Sequence, residues 1–363
     1  MEIADELVYL IALNKIDKIG PVLGKNLIAY LGSAQAVFET PKGQLQKIPG
    51  IGPALSKNID SKKNIKQAED EIILAKKNGV EIVSFYHEKY PKRIKQIRSS
   101  PLVLYMKGEF KVNPPICISI VGSRKPNTYG LSQVEKFVSE IAPYQPQIVS
   151  GMAYGIDIHA HQMALKYGLP TVGVLANGLD SVYPKSHHHI AGEMIREQGG
   201  LISEFPLYTS AERENFPKRN RLIAAYCDVL FVAQTETKGG SIITANLAFD
   251  YDKTIFALPG RISEKKSQGC HMLINQNKAY LYENIAHFLE EMQWITQSPS
   301  PKKQAKNKLQ NDILLLLEQY TSLSLLDIST KLSVAPQKIS IEILHMELEN
   351  LLTSAPGNKY SIC

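Results

Sequence analysis

The chain has 363 residues, 44% hydrophobic and 21% charged, the composition of an ordinary soluble globular protein with room for two or three domains. No apolar run approaches the ~18 residues of a membrane span, and the opening MEIADELVYLIALNK has no basic region or small-residue cleavage site, so membrane and secreted classes are excluded on this reading and a cytoplasmic location is expected. The formal charge of +6 suits a polyanionic partner without requiring one.

Four cysteines, Cys117, Cys227, Cys270 and Cys363, lie far apart with no Cys-x-x-Cys pair, so they suggest neither a zinc site nor a disulfide framework and read as buried or incidental thiols. Residues 1–75 read as short helices with two segments of one type, 16–32 and 45–59. In the second, Ile48-Pro49-Gly50-Ile51-Gly52 joins two amphipathic helices through a glycine hairpin, with Lys47 and Lys57 nearby, in the manner of a helix-hairpin-helix element. The first, with only Ile19-Gly20-Pro21, reads as a degraded copy. Such pairs contact DNA phosphates or serve purely as packing modules, and both readings stand.

A helix over 71–79 leads into the strand VEIVSF, and residues 86–100 form a basic connector with Lys89, Lys92, Arg93, Lys95 and Arg98. From there to about residue 290 apolar runs recur at 103–105, 116–121, 148–149, 171–175, 201–202, 229–232 and 254–258, with helical patterns between most of them. Short apolar strands alternating with helices predict an α/β fold whose doubly wound, mostly parallel sheet is covered on both faces. Ligands of such a sheet lie off the carboxyl ends of its strands.

The loop after each strand is therefore informative. In ICISIVGSRKPNTYG the run to Val121 breaks at Gly122-Ser123-Arg124-Lys125 and passes through Pro126-Asn127 into a helix from about Thr128. A glycine turn before a helix start gathers unpaired amides and the positive helix end at one point, where phosphate fits; an ordinary βα turn with exposed cations is the plainer reading. Ser150-Gly151 comes after the next strand, Ala176-Asn177-Gly178 after the one beyond it, and Ser203-Glu204 after the run at 201–202. Lys238-Gly239-Gly240-Ser241 lies beyond Val232, with Ser241 or Thr244 able to cap or contact at the helix start, and Pro259-Gly260-Arg261 lies beyond the last strand. Glycine or basic loops thus recur along one sheet edge.

The sharpest clue is Phe216-Pro217-Lys218-Arg219-Asn220-Arg221, an extended segment opening a helix over 222–226. Three cations in four residues beside an aromatic supply charge along a backbone and a flat face for a base, the needs of single-stranded nucleic acid. The cations cannot all point one way, so at least one is a candidate for internal pairing with Glu204 or Glu214, and Phe216 is either a stacking platform or core. The search for catalysis is thin. Side chains of His187, His188 and His189 diverge by about 100° each on a helix start and cannot share one ion, which suits an exposed polar turn; His159 and His161 read as packing histidines. No nucleophile elbow, Walker sequence or complete Gly-x-Gly-x-x-Gly occurs. Binding without catalytic residue, metal or cofactor is expected.

Residues 293–308 form a Ser/Pro/Lys-rich linker. Beyond it, 309–363 read as helices at 309–319, 325–332 and 337–351, with a turn at 333–336 and a hairpin-like end at 356–360, an order that resembles a small winged helix. Its third helix carries Lys338 but also Glu342, Glu347 and Glu349, which suits a protein contact at least as well as DNA.

Seven ordered blocks, VGSRKPNTYG, SGMAYGIDIHAHQMAL, LANGLDSVYP, GGLISEFP, FPKRNRLIAA, KGGSIITANLA and ALPG, resemble the DNA-processing protein A family (DprA, also called Smf) over residues 80–290. The resemblance implies an extended Rossmann-like domain at 76–292 between the helix-hairpin-helix region at 1–75 and the winged-helix domain at 309–363. It implies a non-catalytic, homodimeric binder of single-stranded DNA that displaces single-strand-binding protein and loads RecA recombinase in natural transformation. Carried onto this sequence, Gly122, Ser123 and Arg124 match the family's phosphate loop and Gly151 the neighbouring glycine turn. Phe216 matches the base-contacting aromatic, Lys218, Arg219 and Arg221 the basic helix start, and Gly240, Ser241 and Thr244 the next phosphate-facing turn; Lys265 and Lys266 lie in a loop where the family often has a basic residue. The alternative is a nucleotide phosphoribohydrolase-like enzyme of related fold, but 237–244 reads TKGGSIIT, without its Pro-Gly-Gly-x-Gly-Thr motif and following acid.

Overall fold

β-branched and aromatic runs bounded by glycine and proline produce the nine strands of the main sheet: β1 (Glu81–Ser84), β2 (Val103–Lys107), β3 (Cys117–Val121), β4 (Gln147–Ser150), β5 (Thr171–Val174), β6 (Gly200–Ser203), β7 (Val229–Val232), β8 (Thr254–Ala257) and β9 (Tyr280–Leu281). The computed structural model describes residues 3–59, 61–294, 307–320, 322–348, 351–355 and 359–362.

Spatial order is β1-β2-β6-β5-β4-β3-β7-β8-β9. From β6 to β9 every pairing is parallel, while β2 pairs antiparallel with β6 and β1 antiparallel with β2. This is the doubly wound, mostly parallel Rossmann-like sheet expected, lengthened by the antiparallel pair. The chain winds outward from β3 through β4 and β5 to β6, then returns to β7 on the other flank of β3. The order therefore reverses between β3 and β7, where loops diverge and leave a crevice. In-register pairing of Ile118 with Val229 through Val121 with Val232 brings both strands to their carboxyl ends at one level.

Strands buried on both faces need no polar alternation, and β3 to β7 are buried at every position. On one face Phe137 stacks on Phe231 at 4.2 Å, with Phe288 and Tyr282 edge-on to Phe137 at 5.1 and 5.4 Å. On the other, Leu230 and Val232 meet Leu222, Ile223, Ile242 and Ala245. The thiols of Cys117, Cys227 and Cys270 are buried here as the sequence suggests, and burial pushes each thiol's pKa up; Cys363 lies outside the described residues.

The N-terminal helices share a hydrophobic cluster with Leu102 and with Val103 and Tyr105 of β2. Glu71 accepts from Lys15 Nζ at 2.7 Å and from the Leu207 amide at 2.8 Å. Residues 1–292 form one compact unit. The two glycine hairpins are built alike: Lys18 and Gly50 both take positive φ, Gly20 and Gly52 precede the helices Pro21–Leu31 and Pro53–Asn58, and each helix starts on its proline. The copy that looks degraded in sequence keeps the turn, with lysine in the left-handed position.

Residues 293–363 form the second unit. Its helices Lys308–Tyr320, Leu325–Leu332 and Pro336–Leu348 pack around Ile313, Ile328, Ile339 and Met346 beside a small antiparallel sheet of β10 (Leu323–Ser324), β11 (Leu352–Ala355) and β12 (Lys359–Ile362) in the order β10-β12-β11. Three helices and a three-stranded sheet are the parts of a winged helix. The linker at 295–306 and the turn at 356–358 lie outside the described residues. Among the described residues no helix is long and apolar enough to cross a membrane.

Candidate functional site

The crevice between β3 and β7 opens into a cavity of about 390 Å³ lined by Gly122, Ser123, Arg124, Phe216, Arg219, Gly240, Ser241 and Thr244. Eight of the eleven residues singled out in the sequence thus line one cavity; Gly151, Lys218 and Arg221 do not line it. A larger cavity of about 1230 Å³, around Phe110, Gln147 and Pro170, lies at the opposite, amino edge of the sheet and contains none of them.

Close approach shapes the loop after β3. A side chain at Gly122 would come within 2.6 Å of Ile156, and one at Gly155, where φ is +80°, would meet the Ser123 carbonyl and Pro126. The Ile156 amide donates to that carbonyl at 3.1 Å. Helix Thr128–Ile141 starts as the sequence predicts: Asn127 Oδ1 accepts from the Gly130 amide at 2.9 Å. Gln234, buried just after β7, grips the same residue, its Oε1 accepting from the Asn127 amide at 3.1 Å and its Nε2 donating to Asn127 Oδ1 at 2.9 Å. Gly130 makes room for that amide, since a Cβ there would strike the Gln234 side chain. The two loops at the reversal point are tied together.

The basic run is helical. Helix Asn215–Ala225 includes Phe216 to Arg221 from its first turn, whereas the sequence reading makes them an extended lead-in. Pro217 causes the difference: its missing amide is no loss in a first turn, where such amides have no intrahelical partner. Helical spacing then sends the cations apart. Lys218 points to solvent. Arg219 is 4% exposed, and its Nη1 donates to the carbonyls of Gly151 and Val174, both at 2.5 Å. Arg221 pairs with Glu204 and donates to the Ser99 carbonyl at 2.6 Å, the internal pairing anticipated for one of the three.

Phe216 is half-buried, with the guanidinium groups of Arg124 and Arg219 at 5.6 and 5.8 Å from its ring centroid. Arg124 and Lys238 are exposed on the rim; among the described residues neither takes an ion-pair partner. At the far side, helix Gly240–Asp250 starts from Gly239 without a side-chain cap, and its amide end faces the cavity with Ser241 and Thr244 behind it. Neither hydroxyl caps the helix, contrary to one expectation.

Beneath the rim lies a buried polar layer. Burial pushes the Asp157 carboxyl pKa up, against Arg219 and the Ala153 and Gly151 amides. Burial also pulls Arg219 down to about 10, opposed by Asp157. Gly151 keeps space for this pair, because a Cβ there would sit 2.7 Å from Asp157 Oδ2 and 2.9 Å from the Arg219 guanidinium. One turn along, His161 is fully buried, accepts or donates at 2.7 Å with Thr171 Oγ1, and burial pulls it to about 3. His159 is held at 3.0 Å from the Leu131 carbonyl; both are packing histidines, as read. His187 departs from the exposed turn expected: it is buried, 2.8 Å from the Met152 carbonyl.

Asp157 and Gln234 escape sequence reasoning as site residues. An acid in the first turn after a glycine loop is the available signal for Asp157; nothing local marks Gln234. Lys265 and Lys266 occupy a short 3-10 turn and do not line the cavity.

The profile of a family described as DNA recombination-mediator protein A matches residues 81–293. Protein Smf of Escherichia coli (strain K12) is 30% identical over 281 residues, 74% of this chain and 74% of the relative. DNA processing protein DprA of Bacillus subtilis (strain 168) is 34% identical over 219 residues, 60% and 73% of the two chains. The crystal structure of DNA processing protein A from Streptococcus pneumoniae superposes with a TM-score of 0.65 at 28% identity, covering 80% of this chain and 99% of that one. DNA processing protein A from Helicobacter pylori, solved to explain its single-stranded DNA binding mode, gives 0.54 at 30% identity over 59% and 96%.

Proposed function

Because the chain belongs to the DNA recombination-mediator protein A family, the DprA/Smf proteins, we propose that its cavity binds single-stranded DNA without catalysing a reaction on it. The observation that carries this reading is the half-buried Phe216 ring flanked by Arg124, beside glycine loops whose amides face one cavity. A base stacks on the ring while its flanking phosphates meet Arg124, the Gly240 helix start and the exposed Lys218 and Lys238; stacking tolerates any base, and charge tracks the backbone. Similarity to the Helicobacter pylori protein supports the choice of single strands. Gly122 and Gly151 keep the backbone and the Asp157–Arg219 pair in place, and Arg219 and Arg221 act from behind, holding strand ends and the Glu204 loop.

In the cell this binding serves the loading of RecA recombinase onto incoming strands in natural transformation, with single-strand-binding protein displaced and a homodimer as the working form. The protein acts in the cytoplasm, residues 76–292 carry the binding, and 1–75 and 309–363, the latter beyond the 293–308 linker, are accessory modules. The test is titration with fluorescent single-stranded and duplex oligonucleotides at two salt concentrations, followed by RecA filament assembly on coated strands. Tighter, salt-sensitive binding to the single strand with no nucleotide consumed is expected, with Phe216→Ala weakening it by about 1–3 kcal/mol. Equal affinity for duplex, or hydrolysis of a nucleoside monophosphate, would overturn the reading.

A further inference from the structure

Phe216 is not the only aromatic face at this edge. Tyr183 and Tyr154 are each 51% exposed, although both loops that carry them are fixed. Tyr183 lies 5.9 Å from Phe216, the rings inclined at 61°. Tyr154 precedes Gly155, which abuts Ser123 and Arg124; its ring stands edge-on to His187 at 4.8 Å, and its hydroxyl accepts from Ser186 Oγ at 3.2 Å. Both loops are preorganised. Asn177 Nδ2 donates to the Gly178 and Ser181 carbonyls at 2.9 Å each, bracing the loop that carries Tyr183, and His187 ties it to Met152 of the loop that carries Tyr154.

We propose that Tyr183 and Tyr154 continue the binding surface of Phe216 as further base platforms, so that successive bases of one strand rest on separate, differently tilted rings. The inference rests on the single-stranded DNA reading and adds to it the direction of the strand, from the β3 loop toward the loop after β5. Geometry supplies the argument. Duplex bases repeat every ~3.4 Å in nearly parallel planes, and two rings 5.9 Å apart at 61° cannot receive neighbours of such a stack. A single strand rotates about its backbone and can offer each ring its own base, while a duplex would first have to unstack, at a few kcal/mol per step. The platforms therefore select for single strands as well as bind them. Because the loops that carry the rings are already braced, little backbone ordering is left to be done when a base arrives.

An abasic scan separates this proposal from the reading beneath it. Oligothymidylate strands with one abasic position moved along them are titrated against the wild type, Phe216→Ala, Tyr183→Ala, Tyr183→Phe and Tyr154→Ala. In the wild type, abasic substitution is expected to weaken binding at several consecutive positions. Tyr183→Ala is expected to bind the intact strand about tenfold more weakly, the order of one lost base–ring stack, and to become indifferent to one of those abasic positions. Tyr183→Phe keeps the ring and is expected to bind as the wild type does, whatever the alanine variant does to folding. Tyrosine variants that match the wild type while Phe216→Ala weakens would overturn the platforms and leave the DNA reading standing. Equal weakening by Tyr183→Phe and Tyr183→Ala would overturn stacking at that ring, and a wild type with no preference for single strands would overturn both.

Discussion

Two basic runs look alike in the sequence and end differently in the fold. In the connector 86–100, Lys89 pairs with Glu81 at 2.9 Å, Arg93 forms a two-pronged bond to Asp228 at 2.7 Å for each contact, and Lys95 sits over the Phe85 ring at 4.8 Å. Lys89 and Arg93 are thus neutralised, while Lys92, Lys95 and Arg98 stay exposed. In 216–221 and the loop that faces it, Lys218 and Arg124 stay on the surface with no ion-pair partner among the described residues. Charge density in sequence therefore does not by itself say which cations end up neutralised, since their partners are set by the fold. The division recurs within the second run, where Arg219 and Arg221 turn inward and Lys218 outward.

Arg219 offers the hardest test of that division. Arg219→Ala leaves the Gly151 and Val174 carbonyls without their buried donor, so the folded state should lose about 2–6 kcal/mol in urea titration, roughly 1–3 for each acceptor left unpaired, whereas a rim cation would cost almost nothing. Next in size is Arg93→Ala, which should cost about 1.5–3 kcal/mol through the lost charge-assisted pair, yet leave oligonucleotide affinity and its salt slope as in the wild type.

The layer behind the rim can also be titrated. His161 is held far below its ordinary value in the fold, at about 3 against 6.5, so the folded protein refuses a proton that the unfolded chain takes up. Its contribution is complete above about pH 6.5 and is lost as pH falls toward 3. Acid unfolding of the wild type should therefore carry a slope of up to ~1.4 kcal/mol per pH unit from this residue, and His161→Gln should remove it, whatever it does to stability at neutral pH. The smallest stability effect belongs to Lys218→Ala, within about 0.5 kcal/mol, but there the logarithmic salt slope of single-strand binding should flatten by about 0.7. A Lys218→Ala variant with an unchanged slope would erase the contrast between the two runs.

Much of the fold is legible locally. Val229–Val232 and Cys117–Val121 are legible as strands because apolar runs of four or five residues between turn residues are too short for a buried helix, and Asn127 caps the helix that its position announces. The antiparallel pair β1–β2 and the two-residue β9 are not legible as such, since an edge partner is chosen by what lies nearby rather than by its own pattern. The helical start at Asn215 is hidden because Pro217 reads as a breaker until its first-turn position is known. The sequence leaves Phe216 between stacking and core, and the fold half-buries it among Arg124, Arg219 and Tyr183, contacts that local pattern does not announce.

By itself the amino-acid sequence determined the alternation of strands and helices, the glycine-rich loops after successive strands and the aromatic-basic segment between them, because hydrophobic period and turn chemistry are properties of neighbours along the chain. Only the tertiary structure decided which cations are neutralised. Arg93 meets Asp228 across 135 positions and Arg219 meets Gly151 across 68, and partners so remote are brought together by the winding of the sheet, which also leaves Lys218 and Arg124 facing water.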